Sequence, residues 1–346
     1  MYNRFSYLLA FVLPLGSFLF LLGGPHASET ALAWTLPFWL MLLLEWLAPD
    51  LPLYPDKKAP EFYYDGILYG LAFLQCINIA LMLEFVSKLS WQGPGDLVNS
   101  LINLILVRFL IGTSSGTSGI VVAHELIHRD SKWQRLLGHL LLCSVCYDHF
   151  VIAHQRGHHH HLGMPEDIAT AHFGESFNAY WRRVAKGYFS YAWRSELERL
   201  DIGRNYWQAK LLQNQVLRGL AIECSFIGAI IWFYGWLAAL MFLYQAFAAV
   251  RILEAVNYFQ HWGLGEDRFG KSYGWVTTSW LSRYALIGLS NHIGHHQNAS
   301  SRYHEIDYSD RGPQMPYGYF VMNLWVKLHN ASYRKMAEKK LLNFYC

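Results

Sequence analysis

The chain has 346 residues, of which 53% are hydrophobic, 16% aromatic and only 15% charged. Soluble domains carry about 25% charged residues, so this composition indicates an integral membrane protein. The net charge of +3 is small, and the lysines and arginines form neither a basic tail nor a patch interleaved with aromatic residues. These features argue against a nucleic-acid-binding protein.

Six stretches of the sequence are long and apolar enough to be membrane-spanning helices, each of which needs about 20 apolar residues. The first lacks a small-residue cleavage site, and Gly23-Gly24-Pro25 is typical of a turn into the second, so we expect it to be retained rather than removed as a signal peptide. The sequence predicts an all-α membrane protein with a single domain over residues 1–346. The predicted spans are 5–24, 31–48, 66–90, 98–123, 215–235 and 236–258.

The positive charges predict an orientation. The connection 49–65 carries Lys57 and Lys58, and the long segment 129–215 carries many more, whereas the connections on the other side carry none. The positive-inside rule then places the N-terminus and the long segment in the cytoplasm. An even number of spans precedes each histidine cluster, so the segments 124–214 and 259–346 share that side.

Two parts of the long segment are predicted to lie at the membrane surface. The run 136–152 is apolar but contains His139, Asp148 and His149, so we expect a re-entrant or interfacial helix there rather than a seventh span. The whole stretch 129–214 is amphipathic and rich in Trp, Tyr and Arg, which suits helices in the headgroup region. An ordinary soluble insert is the alternative.

The spans themselves carry a few ionisable groups, which at membrane depth are usually paired and functional. Arg108 lies in the fourth span, and Arg251 and Glu254 lie in the sixth. Glu223, in the fifth span, is a candidate partner for Arg108. The small residues of 112–119 indicate close helix packing, with a substrate passage beside them as the alternative.

Histidine is the unusual residue, because most of the 17 histidines fall in four short stretches. The first is His124-Glu125-Leu126-Ile127-His128. On an α-helix residues i and i+4 share a face, so both imidazoles can reach one metal. Alone, this stretch also matches the H-E-x-x-H motif of zinc proteases.

Two of the other three stretches repeat the pattern, and the third is a single histidine. One is His154-Gln155-Arg156-Gly157-His158-His159 followed by two more histidines, another is His292-Ile293-Gly294-His295-His296, and the last is the single His261. A lone histidine at a helix end is usually an ordinary polar residue, but so many on one side of the membrane indicate a metal site. The candidate ligands are His124, His128, His154, His158, His159, His261, His292, His295 and His296.

Nine neutral nitrogen donors exceed the three or four that one zinc needs and suit two metal ions. Imidazole binds iron, zinc, copper and nickel. Zinc has no redox chemistry, and a membrane site offers a lipid-soluble substrate, so two irons that activate dioxygen are the simplest interpretation.

These histidine motifs resemble the membrane di-iron superfamily of fatty-acid desaturases and hydroxylases, and within it the alkane 1-monooxygenase branch. The resemblance covers most of residues 100–320. Its motifs are His124-Glu125-Leu126 with His128, Arg156-Gly157-His158-His159, Pro165-Glu166-Asp167, Phe173-Gly174-Glu175-Ser176, Asn257-Tyr258 with His261 and Gly263, and Pro313-Gln314 with Pro316 and Gly318-Tyr319.

The chain departs from that branch around the ligands rather than at them. Ala153 and Gln260 stand where the branch usually has an acidic residue, and Trp262 stands where it has Tyr. The stretch 291–296 reads Asn-His-Ile-Gly-His-His instead of Arg-His-Ser-Asp-His-His. Groups around a metal's ligands tune its chemistry, so these departures bear on the substrate and the outcome of the reaction.

The resemblance implies hydroxylation of an unactivated C–H bond, at the terminal methyl of an alkane or alkyl chain, by two non-haem irons and O2 in a bacterial inner membrane. The irons themselves do the chemistry, and no classical acid or base is required. Glu125, Glu166, Asp167 and Glu254 are candidates for supporting the ligands, with helix capping as the alternative. The sequence has no second C-x-x-C and no G-x-G-x-x-G, so we expect electrons from a rubredoxin- or ferredoxin-like partner.

Three other functions are weighed against this one. A desaturase or fatty-acid decarboxylase of the same superfamily would release an alkene. A zinc intramembrane protease built on His124, Glu125 and His128 leaves the remaining histidines unexplained. A histidine-rich metal transporter would carry polar residues through several spans, and these spans are mostly apolar.

Overall fold

A computed structural model describes residues 2–47, 60–203, 209–265 and 274–345. Within these ranges the chain is helical with connecting turns and forms no β-strand, although one isolated bridge joins Val276 to Gln314. The all-α prediction is confirmed. The predicted charges Lys57 and Lys58 lie outside the described residues.

Five helices in the described ranges are long and apolar enough to cross a membrane. The first four agree with the predicted spans to within a few residues, and their apolar composition is the physical reason. They are Arg4–Gly23, Ser28–Leu47, Glu61–Ser87 and Pro94–Ile127, and the fifth is Gln215–His261.

The fifth helix contains both remaining predicted spans, 215–235 and 236–258, and is broken at Gly235. There φ is 81° and ψ is 177°, a region of backbone conformation that is essentially restricted to glycine. The large aromatic side chains of Trp232 and Trp236 beside the break are exposed, as is typical of residues at a membrane–water interface.

Two hydrogen bonds show that the chain reverses at this break. Glu223 accepts from the backbone N of Asp148 at 3.1 Å, and Gln245 donates to the backbone O of Ser144 at 3.0 Å. In an unbroken helix Glu223 and Gln245 would be about 33 Å apart, but consecutive turns keep residues 144–148 close together. The residues before and after Gly235 therefore form the two antiparallel arms of a hairpin, and the five apolar helices contain six segments that match the six predicted spans.

The segment between the fourth and fifth long helices stays on one side. Its first helix, Lys132–Cys143, has 12 residues and a length of about 18 Å, too short for a bilayer core of about 30 Å. The prediction that 136–152 is not a seventh span is confirmed. The remaining helices are Phe150–Ile152, which continues as the π-helix Ala153–His158 and as His159–His161, then Phe177–Arg199, Ala209–Gln213, Trp280–Ala285, His292–Gln297, Tyr319–Leu328 and Asn330–Tyr345.

The small-residue segment of the fourth span packs against the second arm of the hairpin. Gly112 and Gly116 face Ala248 and Ile252 closely enough that a methyl group on either glycine would touch them. The helix widens to π geometry over Ser115–Val121, just before the first histidine motif. The packing interpretation of 112–119 is therefore confirmed.

The suggested pair of Arg108 and Glu223 is wrong. The Glu223 carboxylate accepts a hydrogen bond from the backbone N of Asp148, because the first arm of the hairpin packs beside residues 144–148. Arg108 instead stacks on the ring of Tyr244 at 5.1 Å.

The hairpin gives a test of the fold. Replacing Gly235 with Ala should destabilise the protein by about 1–3 kcal/mol, because a side chain strains this backbone conformation although no atom obstructs it. Gly228→Ala is the matched control, since Gly228 is helical, exposed and equally unobstructed, and it should stabilise slightly. Thermal unfolding in detergent would measure both, and equal melting temperatures would contradict a chain reversal at Gly235.

Candidate metal centre

Eight of the nine predicted histidines form two compact groups on the side of the spans where the long segment lies. In each group the candidate nitrogen atoms lie within 4.8 Å of one another. We call them the first group and the second group. The first group is His124, His128, His154 and His295, and the second group is His158, His261, His292 and His296.

Elements far apart in the chain build the first group. His124 lies in the last turn of the fourth span, and His128 follows directly after it. Their ring centroids are 5.2 Å apart, so the predicted i, i+4 pair does converge. The π-helix supplies His154, and the short helix His292–Gln297 supplies His295.

The second group gathers around the end of the fifth long helix. His261 is the last residue of that helix, and its Nε2 lies 2.8 Å from Nε2 of His292. Nε2 of His296 lies 2.9 Å from the same atom of His292 and 3.2 Å from Nε2 of His158. The lone His261 is therefore as central to the site as the clustered histidines.

The ninth histidine, His159, lies between the groups. Its Nε2 is 3.0 Å from Nε2 of His154 in the first group, and its ring centroid is 4.6 Å from that of His296 in the second. The structure therefore brings all nine predicted residues together at one place.

The π-helix over residues 153–158 changes how the second motif is used. In an α-helix His154 and His158 would share a face, but a π-helix closes on i+5, so His159 faces His154 instead. His154 and His158 are divided between the two groups, as are His295 and His296. The i, i+4 spacing of His154 and His158 therefore does not bring both rings to one group, because the local helix is not α.

The unpaired nitrogens fit bound metal ions. His128 Nε2 and His295 Nε2 are buried without a hydrogen-bond partner, which normally costs about 1–3 kcal/mol each. Elsewhere in the site Nε2 atoms face one another in pairs, and neutral imidazoles cannot all donate. A cation between the nitrogens of each group satisfies them together, and imidazole is a suitable ligand for iron.

The surroundings keep several of these imidazoles neutral. Burial, helped by the neighbouring imidazoles, lowers the pKa of His128 and that of His159 to about 3. The same causes hold the pKa of His154 and of His292 well below its usual range. At neutral pH each of these four rings therefore has one unprotonated nitrogen with a free lone pair, which metal binding requires.

Asp167 is the predicted supporting carboxylate that contacts a ligand. Both of its oxygens lie close to Nδ1 of His158, at 3.1 and 3.0 Å. They also accept hydrogen bonds from the backbone N of Ala169 and the hydroxyl of Thr170. A carboxylate held this way fixes the ring so that Nε2 of His158 points at the second group.

The other three candidate carboxylates lie further out. Glu125 forms an ion pair with Arg129 at 2.8 Å and accepts from the backbone N of Tyr303. Glu254 accepts from Tyr147 and Tyr180 and is fully buried. Glu166 is exposed, and no contact places it near a histidine.

Sequence reasoning missed several residues around the site. Arg129 was detectable as a cation four residues after Glu125, whereas Tyr147 and Tyr180 carry no sequence signal because they reach Glu254 only through the fold. Gln260 donates to the hydroxyl of Tyr319 at 2.6 Å. It therefore supports the helix end that carries His261 rather than a metal ligand.

An apolar cavity of about 470 Å³ lies between the spans and the site. The small-residue segment contributes Thr113, Gly116 and Thr117 to its wall, so this segment both packs and borders a passage. Val121 and Leu289 line the cavity. They also line a second, narrow space, whose wall includes His124 and His295. The cavity thus ends one side chain away from the first group.

Comparison with known proteins agrees with this geometry. A fatty acid desaturase family profile matches residues 99–324. The chain is 37% identical over 246 residues to alkane 1-monooxygenase 1 of Pseudomonas aeruginosa, covering 68% of this chain and 63% of that protein. It is 31% identical over 325 residues to alkane 1-monooxygenase 2 of the same species, covering 89% and 83%, and 28% identical to alkane 1-monooxygenase 2 of Alcanivorax borkumensis, covering 98% and 93%.

The fold and the site define a multi-pass membrane protein with a histidine-rich metal centre. The profile covers well over half of the chain, and one relative above 30% identity is matched over most of its own length. The chain therefore belongs to the fatty acid desaturase family, in its alkane 1-monooxygenase branch.

Asp167 provides a test of how the ligands are oriented. Asp167→Asn should weaken metal binding by about 10- to 100-fold, because the amide cannot hold the His158 ring through both oxygens. Glu166→Gln is the matched control, since the neighbouring Glu166 is exposed, and it should keep the wild-type metal content. Metal analysis after dialysis against a weak chelator measures both, and equal retention by the two variants would rule out the supporting role.

Proposed function

We propose that the nine histidines bind two non-haem irons and that the centre hydroxylates the terminal methyl of an alkane or alkyl chain with O2. The observation that carries the proposal is the pair of four-histidine groups, bridged by His159, at the inner end of an apolar cavity. The names of the related proteins, alkane 1-monooxygenases, support the same activity.

When bound, the irons supply the oxidising chemistry, in which one oxygen atom of O2 enters the product and the other leaves as water. The chain's own residues provide the setting. The histidines hold the metals, and Asp167 orients His158. Val121, Leu289 and the apolar cavity wall exclude water and direct the end of an alkyl chain toward His124 and His295.

The three alternatives are less well supported. The matched relatives named above are monooxygenases, which does not favour an alkene-forming desaturase or decarboxylase. A zinc protease needs Glu125 as a free base, but its carboxylate is engaged by Arg129 and Tyr303. A transporter would need a polar path through the spans, and the cavity there is lined mainly by apolar side chains.

Electrons in this proposal come from a rubredoxin- or ferredoxin-like protein. His159 and His296 are only half-buried, and the neighbouring His160 and Gln297 are exposed. The metal centre is therefore nearest to the surface on this face, and we propose that the donor docks there. Cross-linking from a cysteine placed at His160 would test the location.

We also propose that this face lies in the cytoplasm, at the inner membrane of a bacterium. The positive charges of 129–215 support this orientation. The accessibility of a reactive cysteine placed at the exposed Ser300, in intact cells and in inverted vesicles, would test it.

The reaction gives the main test. Purified protein should contain close to two irons and little zinc, and with a reduced donor it should convert dodecane to an alcohol that carries label from ¹⁸O2. Mass spectrometry of the product and metal analysis are the measurements. One zinc and no iron would support the protease, and an unlabelled alkene would support the desaturase.

His261 tests the ligand assignment. His261→Ala should lose at least one iron and all turnover while the protein still inserts and folds, because its Nε2 lies against His292. His172→Ala and His329→Ala are controls, since both side chains are exposed and outside the two groups, and they should keep both irons. Full iron and activity in His261→Ala would reduce the site to eight histidines at most.

A further inference from the structure

Three cationic side chains line one end of the apolar cavity. Arg108 comes from the fourth span, Arg251 from the second arm of the hairpin, and Lys327 from the helix Tyr319–Leu328. We call them the cation cluster. An alkane has no group that three positive charges could recognise, so a cavity for alkanes alone does not explain them.

None of the three forms an ion pair with an acidic side chain in the part of the chain that the structure describes. Nε of Arg108 is buried without a hydrogen-bond partner, and its guanidinium lies over the ring of Tyr244. The guanidinium of Arg251 lies 5.1 Å from the Phe177 ring centroid. Like charges gathered in an apolar place without an anion are costly unless a ligand supplies the negative charge.

The cluster lies near the membrane boundary on the metal-centre side. Arg108 is 14 residues beyond Pro94, and Arg251 is 16 residues beyond Gly235, which corresponds to about 21 and 24 Å along their helices. The bilayer core is about 30 Å thick. From Arg108 the same helix continues for about 24 Å to His124, so the cavity runs from near this boundary toward the metal centre.

We propose that the cation cluster binds the carboxylate of a long-chain carboxylic acid, whose alkyl chain fills the cavity and whose far end is hydroxylated. This inference rests on the proposed function and names its substrate class. The three cations provide a charged anchor at one end, while Val121 and Leu289 receive the other end beside His124. The product would be a hydroxy acid with its hydroxyl group at the end remote from the carboxylate.

The protonation of Lys327 fits an anionic ligand. Burial, followed by the charges of Arg251 and Arg108, lowers the pKa of Lys327 to about 7. The acidic groups on the elements packed against this helix are engaged or exposed. Glu45 accepts a hydrogen bond from the backbone N of Val321 at the opposite end of the helix, Glu254 accepts hydrogen bonds from Tyr147 and Tyr180, Glu223 accepts one from the backbone N of Asp148, and Glu338 is exposed. A bound anion favours the ammonium form, so binding should take up protons at pH 7–8, and affinity should fall as pH rises above 7.

The experiment compares three substrates of one chain length on the iron-loaded enzyme in nanodiscs: dodecanoate, its methyl ester and dodecane. The ester keeps the shape of the acid but lacks its charge. The ratio of kcat/KM for the acid to that for the ester should be well above one, and Lys327→Met should lower it by at least about tenfold. Lys327→Arg should restore it, and Lys335→Met, an exposed lysine on the next helix, should not change it.

Equilibrium binding provides a readout that does not depend on turnover. Dodecane-1-sulfonate, whose charge is independent of pH, should bind the wild type with proton uptake at pH 7–8 and should bind Lys327→Met at least about tenfold more weakly. Calorimetry in two buffers of different ionisation enthalpy measures both quantities.

The outcomes separate this inference from the proposed function. Hydroxylation of dodecane and ester with no preference for the acid, and no effect of Lys327→Met on that preference, would overturn the inference and leave the proposed function standing. No hydroxylation of any substrate, with charge-dependent sulfonate binding retained, would overturn the function and leave the anion site. A lipid headgroup is the remaining occupant. In that case the acid-to-ester ratio of kcat/KM would be near one in phosphatidylcholine nanodiscs, and Lys327→Met would lose phosphatidylglycerol that the wild type binds tightly. This result would overturn the inference.

Discussion

The ring nitrogens of nine histidines crowd into one buried space, where several approach within about 3 Å of one another. Neutral imidazoles are rarely placed this way, because each unpaired nitrogen loses its hydrogen bond to water and gains none in return. The rest of the structure holds the histidines in this arrangement. Four separate elements converge to bring the nitrogens together, and Asp167 and the surrounding aromatic side chains hold the rings in place. Metal ions supply the bonds that water no longer makes.

The membrane helices explain how a water-excluding site is joined to an apolar substrate. The fourth span and the second arm of the hairpin continue beyond the bilayer and carry His124 and His261 at their far ends. The same two helices form walls of the cavity. The cavity therefore offers an apolar substrate a path from the lipid toward the histidine groups, between helices that are continuous from one region to the other.

The sequence predicted the long apolar helices and the convergence of the nine histidines well, because hydrophobic length and histidine clustering are local properties. It predicted less well where geometry depends on packing. The division of His154 and His158 between two groups follows from a π-helix, which residue spacing does not reveal. Arg108 and Glu223 looked like a pair by charge alone, but the hairpin places Glu223 beside Asp148. The cation cluster joins residues more than 200 positions apart, so only the fold brings Lys327 near Arg108.

The distribution of the ligands along the chain also has a consequence for biogenesis. The first group needs His295, which is translated 167 residues after His128, an interval on the order of ten seconds or more at ribosomal rates. During that time the fourth span is already made, while the nitrogens at its end lack most of their partners. Metal can be captured at full affinity only after the last long helix and the segment beyond it have been released. Loading at full affinity is therefore a late step of assembly, and a chain halted before residue 292 would enter the membrane with both histidine groups incomplete.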